Sequence, residues 1–170
     1  VLISDCSSQV MSNWSGDGYC SVADYGIEHL GMQVIRRCGP SQAEKEMADT
    51  IEGRMNHRVT NLVARDTLQQ LVGLMSRVDV VISPDSGPVH IANAVGTPVI
   101  GLYACTWSKR SGPYSYLSDC IDKFEIAARK YRKKSAKELR WGTKLEQPGV
   151  MDLIKADEVI EKLKHIIQSG

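Results

Sequence analysis

Two runs, Val78-Asp79-Val80-Val81-Ile82 and Pro98-Val99-Ile100-Gly101-Leu102-Tyr103, are apolar almost without a break. The first reads as a strand buried on both faces, since strands with one wet face alternate, and the second as another strand. Such runs recur along the chain with helical stretches between them. Segments 1–4, 32–35, 59–63, 78–82 and 98–103 read as strands. Segments 19–30, 41–55, 67–76, 88–95 and 156–168 read as helices. Gly31 suits the residue that stops the first helix. Ser41 with Glu44 forms a capping-box signature for the second. Leu68, Leu71, Val72 and Met75 line one face of the third. Strand–helix alternation at this spacing implies parallel strands joined by right-handed crossovers, hence a doubly wound α/β domain. Five or six strands are expected.

Composition narrows the class further. The chain has 170 residues, 42% hydrophobic and 24% charged, with net charge +1. That suits one globular domain with a full core and excludes a disordered chain. No apolar run approaches the roughly 20 residues of a membrane helix. The charge balance gives no argument for nucleic acid. Five cysteines (Cys6, Cys20, Cys38, Cys105, Cys120) are scattered without a CxxC pair. A disulfide framework or zinc site is not expected, and a reducing cytoplasm is. The chain opens on Val1-Leu2-Ile3, which reads as part of a longer protein.

The chemistry concentrates in Ser83-Pro84-Asp85-Ser86-Gly87-Pro88-Val89-His90, which follows a buried strand and opens a helix. In open α/β sheets ligands bind outside the carboxyl ends of strands, and a helix N-terminus favours an anion. Gly87 lets a phosphate approach the backbone, and Ser86 adds a hydroxyl donor. Asp85 repels phosphate and is better placed to accept hydrogen bonds from sugar hydroxyls. With Pro88 as the first helical residue, His90 is third and within reach of a diphosphate. An N-cap turn with a packed histidine is the plainer reading of the same residues.

The whole segment from Ser83 to Tyr103 resembles the signature of glycosyltransferase family 9, the lipopolysaccharide heptosyltransferases and their relatives. Its pattern is Asp-(Ser/Thr)-Gly-x-x-His-x-x-x-Ala-x-x-x-Pro, matched by Asp85, Ser86, Gly87, His90, Ala94 and Pro98. Thr106 with Gly112-Pro113-Tyr114, Trp141-Gly142-Thr143 and the segment after Pro148 are also similar to that family.

The resemblance implies a GT-B enzyme of two Rossmann-like halves facing a cleft. Residues 1–170 look like its C-terminal half, which binds the nucleotide-sugar donor. The general base and the acceptor site would lie in the N-terminal half. The donor implied is ADP-heptose, used as substrate with no cofactor or metal. The acceptor implied is a lipid-linked lipopolysaccharide core at the cytoplasmic face of the inner membrane. Asp85 would hold hydroxyls of the transferred sugar. Ser86, Gly87 and His90 would hold the diphosphate. Glu44 matches an acidic position at the ribose, besides its capping-box reading. Asp66, in Arg65-Asp66-Thr67, matches a loop near the base, and Ser7 and Ser8 match hydroxyl residues near the phosphates.

The first loop departs from the family. A lysine usually stands two residues before a tryptophan, and Ser12 precedes Trp14 instead. Lys109 or Arg110 is a candidate substitute, or simply exposed charge. The basic run from Arg129 to Lys137 reads three ways: a solvated helix face, attraction to an anionic leaflet, or contact with an anionic lipopolysaccharide precursor. No RNA-binding signature accompanies it. Trp14 and Trp141 are expected in packing, and Trp107 at a loop rim. His29, His57 and His165 are expected at the surface. Two other readings stay open: a non-catalytic nucleotide-sugar binding module, and a GT-B relative using a UDP-sugar.

Overall fold

The computed structural model describes residues 1–4, 10–37, 46, 49, 51, 53–63 and 67–169. Among the described residues, six strands form one parallel sheet: β1 (Leu2–Ser4), β2 (Ile35–Arg37), β3 (Thr60–Asn61), β4 (Val81–Pro84), β5 (Val99–Tyr103) and β6 (Ile121–Asp122). Their spatial order is β3-β2-β1-β4-β5-β6. The chain builds outward from β1 to β3, then returns to the other side of β1 with β4. The order reverses between β1 and β4, and the crevice outside their carboxyl ends is where this topology takes a ligand.

Side-chain alternation divides β4 and β5 between two cores, because successive residues of a strand face opposite ways. Ile82, Ile100 and Leu102 join α1 (Gly16–Leu30), α5 (Phe124–Arg132) and α6 (Ala156–Ser169) in the larger core. Val81 and Val99 join α2 (Leu68–Met75) and α3 (Gly87–Ala94) in the smaller one. Every residue of β4 and β5 is buried, Ser83 included.

The helices begin and end for local reasons. Ser15 caps α1 by accepting from the Gly18 N–H, and Gly31 ends it at φ 62°. Thr67 and Gln70 form a reciprocal capping box at α2. The Ser41–Glu44 capping box falls outside the described residues, although Glu46, Asp49 and Ile51 are helical. The Thr97 hydroxyl ties the start of β5 to α2 by donating to the buried Met75 carbonyl at 2.6 Å. Thr97→Val should cost about 1–3 kcal/mol by leaving that carbonyl unpaired. A urea unfolding midpoint indistinguishable from the parent would contradict this.

Two expectations shift. The strand expected at 32–35 pairs at Ile35–Arg37, with Leu2 opposite Ile35. The strand expected at 78–82 pairs at Val81–Pro84, with Ser83 opposite Gly101 and Pro84 opposite Leu102. Serine and proline are poor strand formers, so the sequence pattern ends the strand too early. The short β6 is too small to show a period.

Candidate functional site

The turn from Pro84 to Gly87 leaves the carboxyl end of β4 beside the reversal point of the sheet. Ser86 is the N-cap of α3, with extended backbone (φ −154°, ψ 169°). Gly87 is therefore the first helical residue and Pro88 the second. His90 is the fourth rather than the third, still within the first turn, and it is exposed. Pro88 has no N–H, and the Val89 N–H is bonded to the Ser86 carbonyl at 3.2 Å. The N–H groups of Ser86 and Gly87 make no hydrogen bond among the described residues. These two donors and the helix dipole form a cradle for an anion.

Gly87 is exposed, and a Cβ built on it would meet nothing within 4 Å. Its backbone does not sit in the left-handed region. Neither packing nor backbone conformation requires glycine here. A ligand resting against the main chain would.

The Ser86 hydroxyl does not cap the helix. It lies 2.9 Å from the Ser83 hydroxyl, which itself donates to the Pro84 carbonyl at 3.1 Å. The Ser86 proton thus goes to Ser83, and the main-chain N–H of Ser86 is the group left to face an anion.

Asp85 is half-buried and held from one side. Ser111, in α4 (Ser108–Ser111), donates its hydroxyl to Asp85 Oδ2 at 2.8 Å. The Tyr103 hydroxyl donates to the Ser111 carbonyl at 3.0 Å. Burial, and then the Asp85 charge, push the Tyr103 hydroxyl well above the ordinary tyrosine range. Tyr103 therefore stays a donor at any working pH, and it fixes the arm that orients Asp85. Asp85 Oδ1 makes no hydrogen bond among the described residues. A carboxylate oxygen fixed this way can accept from a ligand hydroxyl.

The arm is itself tightly built. The Ser108 N–H and hydroxyl both donate to Asp122 Oδ2, and Asp122 Oδ1 accepts from the Phe124 N–H at 2.8 Å. A Cβ on Gly112 would lie 2.5 Å from the Ser108 carbonyl oxygen. Glycine is required there by close approach, unlike at Gly87. Neither Asp122 nor Ser111 was legible as a site residue, because their roles depend on loop closure across 14 and 26 residues respectively.

The structure brings Asp85, Ser86, Gly87 and His90 to one turn. Ser7, Ser8, Glu44 and Asp66 fall outside the described residues. Ser12 is 3% exposed, beside the Cys105 thiol, and its Oγ makes no hydrogen bond of ordinary geometry. Burial pushes that thiol up, with the Ser12 hydroxyl acting the other way. Lys109 lies over the Trp107 ring at 5.7 Å, and Arg110 faces a cavity beside Trp141. Neither is hydrogen-bonded or ion-paired to the Asp85 turn among the described residues. Trp14 is buried as expected. Trp141 is not in packing: it is 68% exposed, because a glycine turn carries it outward. His29 and His165 are exposed. His57 is less so, with Nδ1 3.0 Å from Asp24 Oδ1.

Comparison with known proteins decides the family. The sequence model of glycosyltransferase family 9 (heptosyltransferase) matches residues 1–141. The chain belongs to this family. It is 39% identical over 166 residues to the lipopolysaccharide core heptosyltransferase OpsX of Haemophilus influenzae, covering 98% of this chain and 48% of that protein. It is 34% identical over 107 residues to lipopolysaccharide heptosyltransferase 3 of Escherichia coli K12, covering 62% of this chain and 31% of that protein. This family member thus spans about half the length of its relative OpsX. Its fold matches a family 9 glycosyl transferase from Veillonella parvula with TM-score 0.73 at 22% identity, over 100% of this chain and 47% of that one. It matches the E. coli ADP-heptose lipopolysaccharide heptosyltransferase II with TM-score 0.73 at 19% identity, over 99% and 46%. Among the described residues, no helix of this family 9 chain is long and apolar enough to cross a membrane.

Proposed function

We propose that this chain is the donor-binding, C-terminal half of an inverting GT-B glycosyltransferase that transfers heptose from ADP-heptose to a lipopolysaccharide core acceptor. The observation behind this reading is the exposed Gly87 at the sheet's reversal point, with two free N–H donors next to a half-held carboxylate. The relatives' names supply the sugar and the acceptor.

In this reading the Ser86 and Gly87 N–H groups and His90 hold the diphosphate. They stabilise the charge that develops on it as the sugar departs, which is electrostatic catalysis by preorganised donors. Asp85 Oδ1 accepts from hydroxyls of the transferred sugar, while the Ser111–Tyr103 arm holds Oδ2. Glu44, Asp66, Ser7 and Ser8 are proposed around the nucleoside and phosphates from the family pattern alone. No residue of this half is assigned as the general base, which is placed in an N-terminal half. The donor is a substrate, and no cofactor or metal is invoked. The exposed cations of the 129–134 stretch would draw the enzyme to an anionic inner leaflet at about 1 kcal/mol per residue near the surface, on the cytoplasmic side.

The buried Ser12 favours a second reading, a nucleotide-sugar binding module without turnover. A lysine would add a cation to the leaving diphosphate, and a serine 3% exposed adds none.

Asp85→Ala tests the assignment. The affinity for ADP-heptose should fall roughly 10- to 100-fold, the worth of a charged hydrogen bond, while the affinity for ADP holds. Equal losses for both ligands would make Asp85 a structural residue. No loss for either would remove it from the site.

A further inference from the structure

A cavity of about 180 Å³ opens beside the Asp85 arm. It lies at the same, carboxyl edge of the sheet, past the ends of β5 and β6. Trp107 and Trp141 wall it, with Phe124 behind, and Arg110, Lys137 and Arg140 rim it.

The aromatic walls are fixed. Trp107 stacks on the buried Phe124 ring, with centroids 5.8 Å apart and planes 13° apart. Trp141 meets Trp107 edge-on, at 6.1 Å and 61°. Trp141 stands at the tip of a closed turn. The Thr143 N–H donates to the Arg140 carbonyl at 3.0 Å, and Gly142 takes φ 85°. Only glycine adopts that conformation without strain. The turn is tied to the core two residues on, where the Leu145 N–H donates to the Cys105 carbonyl at 2.8 Å. A tryptophan 68% exposed on so rigid a mount offers an open ring face at little entropic cost to a ligand.

The rim is cationic. No carboxylate is among the described residues that line this cavity. Arg110, Lys137 and Arg140 have no ion pair among the described residues, whereas neighbouring Arg129 is bonded to Glu125 at 2.6 Å. Tryptophan faces take the C–H face of a sugar ring, since the ring face is negative and those hydrogens are positive. Unpaired guanidinium groups take carboxylate or phosphate in a two-pronged grip. The cavity is smaller than the roughly 300–1,000 Å³ of drug-sized sites, so it suits a single ring.

We propose that this cavity is a binding site for one acidic sugar residue, phosphate- or carboxylate-bearing, of the acceptor saccharide. The assignment to the acceptor rests on the transferase reading above. The two sites share one arm: Ser111 holds Asp85, and the adjacent Arg110 rims the cavity. An acidic residue bound here sits next to the turn that holds the departing donor, and it fixes the acceptor's approach from the donor half.

The test is calorimetric titration of the 170-residue chain with deacylated rough-type lipopolysaccharide, and separately with glucose, inorganic phosphate and anionic phospholipid vesicles. Saturable binding of the saccharide, tighter than of glucose or phosphate, is expected. Arg140→Ala should weaken it by roughly tenfold, one charge-assisted hydrogen bond, and Trp141→Ala should weaken it as much. Trp141 is exposed, so the second variant tests the site without disturbing the core. Absence of saccharide binding overturns the proposal. So does binding no tighter than that of phosphate, or vesicle binding that is the sole property the two variants lose. ADP titrated into the same proteins reports the donor site separately. If ADP fails to bind while the saccharide does, the donor reading falls and the saccharide site stands.

Discussion

Gly87→Val should abolish donor binding and leave the fold as stable as before. The added side chain meets no protein atom, since a Cβ at Gly87 has nothing within 4 Å. It also demands no strained backbone, since Gly87 is not among the residues of positive φ. What it displaces is the ligand. The Ser86 and Gly87 N–H groups are the donors left open at this helix start, and a β-branched side chain stands over both. Two hydrogen bonds to a charged diphosphate are together worth at least roughly 3 kcal/mol, more than a hundredfold in affinity. Titration of ADP and ADP-heptose, beside thermal unfolding of the same variant, separates the two roles. Unchanged binding would move the donor elsewhere. A lowered Tm would mean that the fold, not the ligand, selects glycine.

The largest effect on stability should come from Trp14→Ala. Trp14 is 3% exposed, packs edge-on to Tyr19 at 5.0 Å, and donates its indole N–H to the Ile154 carbonyl at 3.0 Å. The bond spans 140 residues and pins the entry of α1 to the segment that leads into α6. The fit on the other side is close enough that a Cβ on Gly18 would lie 2.5 Å from the indole. Truncation removes the ring contacts, opens a cavity and strands a carbonyl. Large aromatic-to-alanine changes in cores cost about 3–5 kcal/mol. For a domain of this size that lowers Tm by roughly 6–20 °C. A change within a degree or two would show that the two ends of the chain are not coupled through this residue.

These two residues differ in how plainly the sequence announced them. The Asp85-Ser86-Gly87 turn was legible because a doubly buried strand, a turn and a proline-led helix occur in immediate succession, and each leaves a local signature. The burial of β4 on both faces was legible for the same reason, in the apolar run from Val78 to Ile82. Ser83 and Pro84 were not read as strand, because their pairing with Gly101 and Leu102 overrides poor intrinsic preference. Ser111 and Asp122 were invisible because their hydrogen bonds join segments far apart in sequence. Trp141 misled outright. A tryptophan is usually buried, and only the φ 85° of Gly142 shows why this one is held out.

The central claim is that the β4–α3 turn binds an adenine-nucleotide sugar. The most direct measurement is thermal unfolding of the chain with ADP, ADP-heptose and UDP, each titrated to millimolar. A ligand at 100 times its Kd stabilises the native state by about 2.7 kcal/mol. Tm should rise with ADP, rise further with ADP-heptose, and change little with UDP. A rise with UDP alone, or with none of the three, would contradict it.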